Sequence, residues 1–588
     1  MLKIFTIVFV IGFYTKAFSQ YYIRGEVKNE KNQPLQNVKI FLHSSHMLYF
    51  TGTSGGFGIL VPGLYDSLTF NAEGYEPKSV KVKADVYQQI TLKMLFASIS
   101  LQKQSLISFT KDKDANSDRS WLFGNESYSN LVENSFINAE KYPVSGFSVR
   151  DDKASYSNVR RFINQKSIVP PDAVRIEEML NYFNLNYKEP KLNETFHISS
   201  QLTDCPWNNH HQLLMLDLSA RKIDIDAVPA SNFVFLIDVS GSMDLPNRLP
   251  LLKTSFQLLV KNLRDKDTVS IVTYGGSVGV WLPPTSGKEK QKIIKAIEEL
   301  EAAGDTPGEA AVRAAYKLAK SAFISGGNNR VILATDGDFN VGETSEKALE
   351  ELISKERLSG IYLTCLGVGM GNYKDSKIEA LAKKGNGNFA YLDDIKEGEK
   401  VLVKELTQTL YTVASNVFLD VRFNNIMVKE YRLIGYDNKK NVLSDTASKL
   451  EGGEIGSGSG VTAIFEIIPT EENEFSSDAL IDENIASIQL NYHLPGDSTQ
   501  QITNHICSRN YRGFNQLGNN QKFTAAITML GLLLRNTKYA LYANFNEVEK
   551  IAKSARVDED YLQTQFIDLV EKAKKIYSKK GRKKLKFK

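Results

Sequence analysis

Between residues 231 and 415 the chain alternates short apolar runs with longer stretches whose apolar positions recur every three or four residues. The runs fall at 233–237, 268–273, 331–334, 361–366 and 389–392. The runs at 233–237, 331–334 and 389–392 are continuous rather than alternating, which predicts strands buried on both faces of a parallel sheet. Between the first two, Leu252, Phe256, Leu259 and Leu263 share one face of a helix, and a second helix is expected over 308–319. This order predicts an α/β segment: a doubly wound, Rossmann-like parallel sheet with helices on both faces and right-handed crossovers.

The remaining segments carry other patterns. Residues 20–94 alternate over short runs broken by turn signals at 29–34, 54–56 and 62–63, which predicts a small all-β sandwich. Residues 95–132 are polar and aperiodic, and read as a linker. A separate segment covers 133–230. From 416 to about 577 the text is first rich in strands, at 417–423, 431–436 and 462–468, and then helical from 521. The apolar stretch 523–534, bounded by Lys522 and Arg535, is too short for a membrane span and reads as a buried helix. Residues 578–588 form a basic tail. At the other end, Lys3, the apolar run 4–14 and the small residues Ala17 and Ser19 have the order of a secretory signal over 1–19, which leaves Gln20 as the first mature residue. Export to the periplasm or cell surface is therefore expected, with no transmembrane segment after cleavage.

At 588 residues the chain exceeds a single core, so three or four domains are expected. The formal charge of +4 is concentrated near the C-terminus, which gives no support for a nucleic-acid partner beyond the tail. Three cysteines are too few and too scattered for a disulfide framework or a zinc site. Cys365 lies in an apolar run and reads as a buried thiol; Cys205 and Cys507 are a candidate pair that spacing alone does not decide.

The chemistry concentrates where the apolar run 233–237 ends, in Asp238-Val239-Ser240-Gly241-Ser242. Three oxygen-bearing side chains at i, i+2 and i+4 then sit at the carboxyl end of a strand, where open α/β sheets bind ligands. One carboxylate and two hydroxyls are hard donors of low charge, suited to Mg²⁺, Mn²⁺ or Ca²⁺ rather than Zn²⁺. Thr306, just before the 308–319 helix, and Asp336, just after the run 331–334, complete a candidate set. Capping of the next helix by Asp238 and its serines is the simpler reading, but it explains neither Thr306 nor Asp336.

The order Asp-x-Ser-x-Ser, then Thr, then Asp resembles the metal-ion-dependent adhesion site of von Willebrand factor A domains. The resemblance implies that Asp238, Ser240, Ser242, Thr306 and Asp336 surround a divalent metal, and that an acidic group of a protein or surface polymer completes its coordination. The segments 154–162 and 170–183, together with 416–575, resemble the regions flanking the A domain in bacterial exported A-domain proteins, which suggests that both flanks pack as one unit. Gly25-x-Val27, Pro34-Leu35, 53–57 and Gly74-Tyr75 resemble carboxypeptidase regulatory-like, transthyretin-like sandwiches, which implies a binding or spacing module.

Two alternatives stay open. A metal-assisted hydrolase needs a base near the metal; Asp305, Asp338 and Asp244 are near in sequence, but no histidine lies near the three loops, so no enzymatic activity is expected. A structural assembly factor of the cell envelope would fill the metal site with its own carboxylate. The remaining motifs fail on context. The run 336–347 lacks the calcium-loop glycine and glutamate at their places, 52–56 and 275–279 match the nucleophile-elbow pattern without triad partners, and 367–371 lacks a third glycine. His210 and His211 read as an exposed pair in a polar stretch.

Overall fold

The structure is a computed structural model. It describes residues 21–93 apart from 31, 46, 53, 73–74 and 85; residues 126 and 128; residues 131–436 apart from 225, 227, 276, 305–307, 338–345 and 371–374; residues 452–470; and residues 484–578 apart from 541. The signal over 1–19 and most of the linker and basic tail lie outside the described residues, as do Thr306, Asp305 and Asp338. The chain divides into two units, 1–107 and 108–588.

The first unit is all-β. Its strands are β1 (Tyr21–Asn29), β2 (Lys39–Leu42), β3 (Met47–Phe50), β4 (Gly56–Val61), β5 (Tyr65–Asn71), β6 (Lys78–Lys83) and β7 (Tyr87–Leu92). They form two sheets, ordered β4-β1-β7 and β3-β2-β5-β6. Alternate residues, among them Ile23 and Val27 of β1, Ile40 and Leu42 of β2, and Leu68 and Phe70 of β5, make a common core. This is the half-buried alternation that the sequence pattern predicts.

The second unit opens with β8 (Ile137–Asn138) and β9 (Val144–Ser148), then helices Ala154–Asn164 and Ile176–Asn181, then β10 (Phe196–Asp204) and β11 (Gln212–Ala220). Glu126 and Tyr128, within the stretch read as linker, are held on the first of these helices. Both Arg161 Nη atoms donate to the Glu126 carboxylate at 2.7 Å, and Arg161 Nη2 reaches the Tyr128 hydroxyl at 3.2 Å. A buried guanidinium needs this counter-charge, so Glu126 serves an ion pair rather than solvation.

The α/β segment follows, with β12 (Ser231–Asp238), β13 (Thr268–Gly275), β14 (Ser277–Ser286), β15 (Asn328–Thr335), β16 (Ile361–Gly367) and β17 (Phe389–Tyr391). The sheet order is β14-β13-β12-β15-β16-β17. All neighbours pair parallel except β13 and β14. Odd residues of β12, Phe233, Phe235 and Ile237, pack on one side with Phe256 and Leu259 of helix Leu249–Lys261. Even residues Val234 and Leu236 pack on the other with Val312, Ala315 and Tyr316 of helix Gly308–Ser321. Burial on both faces is why the run 233–237 is continuous. The sheet grows one way from β12 to β13 and the other way from β12 to β15, so the crevice between the ends of β12 and β15 is its topological switch point.

After this segment come β18 (Thr412–Phe423), β19 (Val428–Ile434), β20 (Gly453–Gly456), β21 (Gly460–Pro469), β22 (Asn484–His493), β23 (Gln500–Ser508) and β24 (Tyr511–Arg512). Helices Asn519–Arg535, Phe545–Ala555 and Tyr561–Tyr577 close the described chain. The two flanks share sheets: β9 pairs with β18, β8 with β19, and β11 with β21. Leu214, Leu216 and Leu218 of β11 meet Leu419 and Val421 of β18 in one core. Leu213 and Met215 face the other way, toward Phe523 and Met529 of the buried helix 519–535. No helix among the described residues is long and apolar enough to cross a membrane.

Cys205, Cys365 and Cys507 are all buried and free, so the candidate Cys205–Cys507 pair is not formed. His211 is not exposed as expected. Its Nδ1 lies 2.5 Å from Glu466 of β21, because a carboxylate buried in the sheet draws the imidazole in.

Candidate functional site

Asp238 is the last residue of β12, and Thr335, the last residue of β15, is followed by Asp336. Both carboxylates are nearly inaccessible, at 0% and 3% exposure. Asp238 uses its oxygens locally: Oδ1 accepts from the Ser240 backbone N–H at 2.9 Å, and Oδ2 from the Thr335 hydroxyl at 2.9 Å. Burial pushes its carboxyl up to about 6; bonds from Ser240 and Thr335 pull it down, while the Asp336 charge adds to the rise. The Ser240 and Ser242 hydroxyls are 3.1 Å apart, and the Ser242 hydroxyl donates to Asp336 Oδ2 at 2.8 Å. Ser242 is exposed, so the cluster opens to solvent on that side.

The capping reading fails on this geometry. The helix over Leu249–Lys261 has Arg248 at its N-cap and no side-chain cap, and Asp238 binds back onto its own loop. Asp238, Ser240, Ser242 and Asp336 come together, as expected from the sequence. Thr306 lies outside the described residues, but the chain leading to it is anchored at the site: Ala303 N–H donates to the Val239 carbonyl at 2.6 Å and Gly241 N–H to the Gly304 carbonyl at 3.0 Å.

Two further residues shape the site without having been singled out in the sequence. Thr335 orients Asp238 and accepts from the Gly337 N–H at 3.1 Å. Arg248 is buried and places Nη1 2.6 Å from Asp336 Oδ2 and 2.6 Å from the Ser242 carbonyl, while Nη2 donates to the Met370 carbonyl at 2.9 Å. Its only sequence signal is a lone cation in the short loop between the serines and the next helix.

The donor set fits a hard divalent ion. Two buried carboxylates and two hydroxyls converge with no sulfur or imidazole, which matches Mg²⁺, Mn²⁺ or Ca²⁺ and not Zn²⁺. Among the described residues no group of three or more His, Cys, Asp or Glu side chains is placed to hold a metal ion.

A switch-point crevice holding Asp-x-Ser-x-Ser and a facing aspartate defines a von Willebrand factor type A domain protein, and residues 232–408 match the family of that description. Residues 122–215 match the family described as von Willebrand factor, and 408–576 that described as Uncharacterized protein YfbK, C-terminal. Over 470 residues the chain is 35% identical to Uncharacterized protein YfbK of Escherichia coli (strain K12), a span covering 76% of this chain and 81% of that protein, and it belongs to that family. A shorter likeness, 26% over 212 residues, relates it to inter-alpha-trypsin inhibitor heavy chain H2 of Mesocricetus auratus, covering 34% of this chain and 21% of that protein. The solved von Willebrand factor type A protein from Catenulispora acidiphila resembles it with a TM-score of 0.39 and 13% identity, over 68% of this chain and 98% of the other.

Proposed function

We propose that the chain is a binding protein, not an enzyme, that grips an acidic group of a partner protein or surface polymer through a divalent metal at the end of β12. Asp238, Ser240, Ser242 and Asp336, with Thr306, would hold the ion, with Mg²⁺ favoured over Mn²⁺ or Ca²⁺. When bound, the ion supplies a positive charge and a coordination position that a partner carboxylate can fill. The protein's own part is to keep two carboxylates dry and oriented, and to limit ligand charge by using hydroxyls, so that net positive character remains. The observation that carries the reading is the chain of hydroxyls from Ser240 to Ser242 to Asp336 beside Asp238, with Ser242 facing solvent. The apolar segment at 4–14 supports export to the periplasm or cell surface, and the all-β first unit, with its carboxypeptidase regulatory-like motifs, supports a role as spacer or second binding module.

Water-proton relaxation of the Mn²⁺-loaded chain tests the open position. Millimolar acetate is expected to lower the relaxivity by displacing bound water, and Asp238→Ala to remove the enhancement. Relaxivity of the loaded chain that saturating acetate leaves unchanged would contradict the proposal.

A further inference from the structure

Arg248 is a buried cation in direct contact with Asp336, and the fold goes to some length to hold it there. Its guanidinium bonds to Asp336 and to two backbone carbonyls, Ser242 and Met370, on opposite sides of the crevice. Gly369, at φ +82°, leaves room for it: a Cβ there would lie 2.6 Å from Arg248 Nε. The turn is fixed from its far side as well, where the Tyr391 hydroxyl donates to the Gly369 carbonyl and the Gln165 amide lies 2.8 Å from Met370 Sδ.

This placement has an electrostatic consequence. Asp238 and Asp336 as carboxylates carry two negative charges, and Arg248 cancels one. A divalent ion then turns the group from one net negative to one net positive, whereas with a neutral residue at 248 it would go from two net negative to neutral. The same guanidinium that weakens ion binding therefore strengthens the pull on an incoming anion. We infer that Arg248 is a built-in counter-ion of Asp336 that trades metal affinity for anion affinity: the ion binds weakly alone, and the metal-loaded site holds the partner's carboxylate more tightly than it would with a neutral residue at 248. The inference rests on the metal-binding reading above.

The test is calorimetric titration of Mg²⁺ into the metal-stripped full chain and into Arg248→Gln, each with and without acetate. Like charges a few ångström apart in a partly buried site change affinity by about tenfold or more. Arg248→Gln is expected to bind Mg²⁺ about tenfold more tightly than the wild type, and at one fixed acetate concentration below saturation acetate is expected to tighten Mg²⁺ several-fold more in the wild type, whose metal-loaded site binds the anion more tightly. Equal or weaker Mg²⁺ binding by Arg248→Gln overturns the inference and leaves the metal reading standing. Absence of binding in both chains overturns the metal reading itself. Should the variant not fold, amide exchange of the wild type decides. Mg²⁺ is expected to speed exchange in peptides covering 367–370 as Arg248 loosens from Met370; unchanged or slower exchange there counts against it.

Discussion

Glu454, in β20, is only 3% exposed. Burial pushes its carboxyl up to about 8, against the pull of the Arg150 and Arg330 guanidiniums. The folded chain therefore holds this proton where the unfolded chain, near the ordinary value of 4.5, releases it. The stability tied to that proton is fully present below about pH 4.5 and is lost as pH rises through about 8. Glu454→Gln removes the titration. It is expected to be more stable than the wild type at pH 8 by an amount on the order of a few kcal/mol, with the gap closing toward pH 4.5, as read by urea melts across that range. Parallel pH profiles for the two chains would contradict this. At the same scale, the legible part of the candidate site is the part set by spacing. Asp238, Ser240 and Ser242 sit at alternate positions after a strand, and Asp336 follows a second one. Arg248 and Thr335 were not legible, because one lies in an aperiodic loop and the other is simply the last residue of β15; only folding sets them against Asp336 and Asp238.

Among elements, the buried strands of the α/β segment were legible because helices cover both faces, so the apolar run marks each strand to within a few residues. β14 was not. It carries Gly279, Pro283 and Pro284, which an edge strand tolerates, and its register against β13 is irregular at two points. Gly452 and Gly453 lie in a glycine-rich stretch between predicted strands. They precede or open β20 because a Cβ would fall within 2.1 Å of the Asn416 backbone or 1.7 Å of Val149, so the glycines serve close packing and not flexibility. Helix Ile176–Asn181 has no capping side chain; Arg175 at its start reaches outward instead, with Nε 2.5 Å from Glu178 and Nη1 2.6 Å from Asp375 at the start of helix Asp375–Lys384. All three groups are buried. Arg175→Ala would leave carboxylates without their counter-charge, and a loss of about 3–5 kcal/mol is expected in equilibrium unfolding. A change under about 1 kcal/mol would mean that solvent reaches this pair.

On the scale of the whole molecule, the second unit is built by interleaving. Segments near residues 140 and 420 share one sheet, those near 215 and 465 another, with the A domain inserted between them in sequence. Arg160 carries the connection further, donating to Asp393 and Glu397 in the A domain. A single sequence shows the strands of such a body but not their partners, since non-local pairing leaves no local periodicity. Resemblance of the two flanks to one family was the only pointer to a joint body. The flanks also reach the A domain just past the carboxyl ends of β16 and β17, at Asp375, Asp393 and Glu397, while Ser242 at the end of β12 stays open to solvent. That end is also where the account is most exposed to test. Mg²⁺ should be titrated by calorimetry into the metal-stripped full chain beside Asp238→Ala, with thermal melts confirming that both are folded. Saturable binding by the wild type that is lost in the folded variant is the predicted result; a folded wild type that takes up no Mg²⁺, Mn²⁺ or Ca²⁺ would contradict a metal-dependent function.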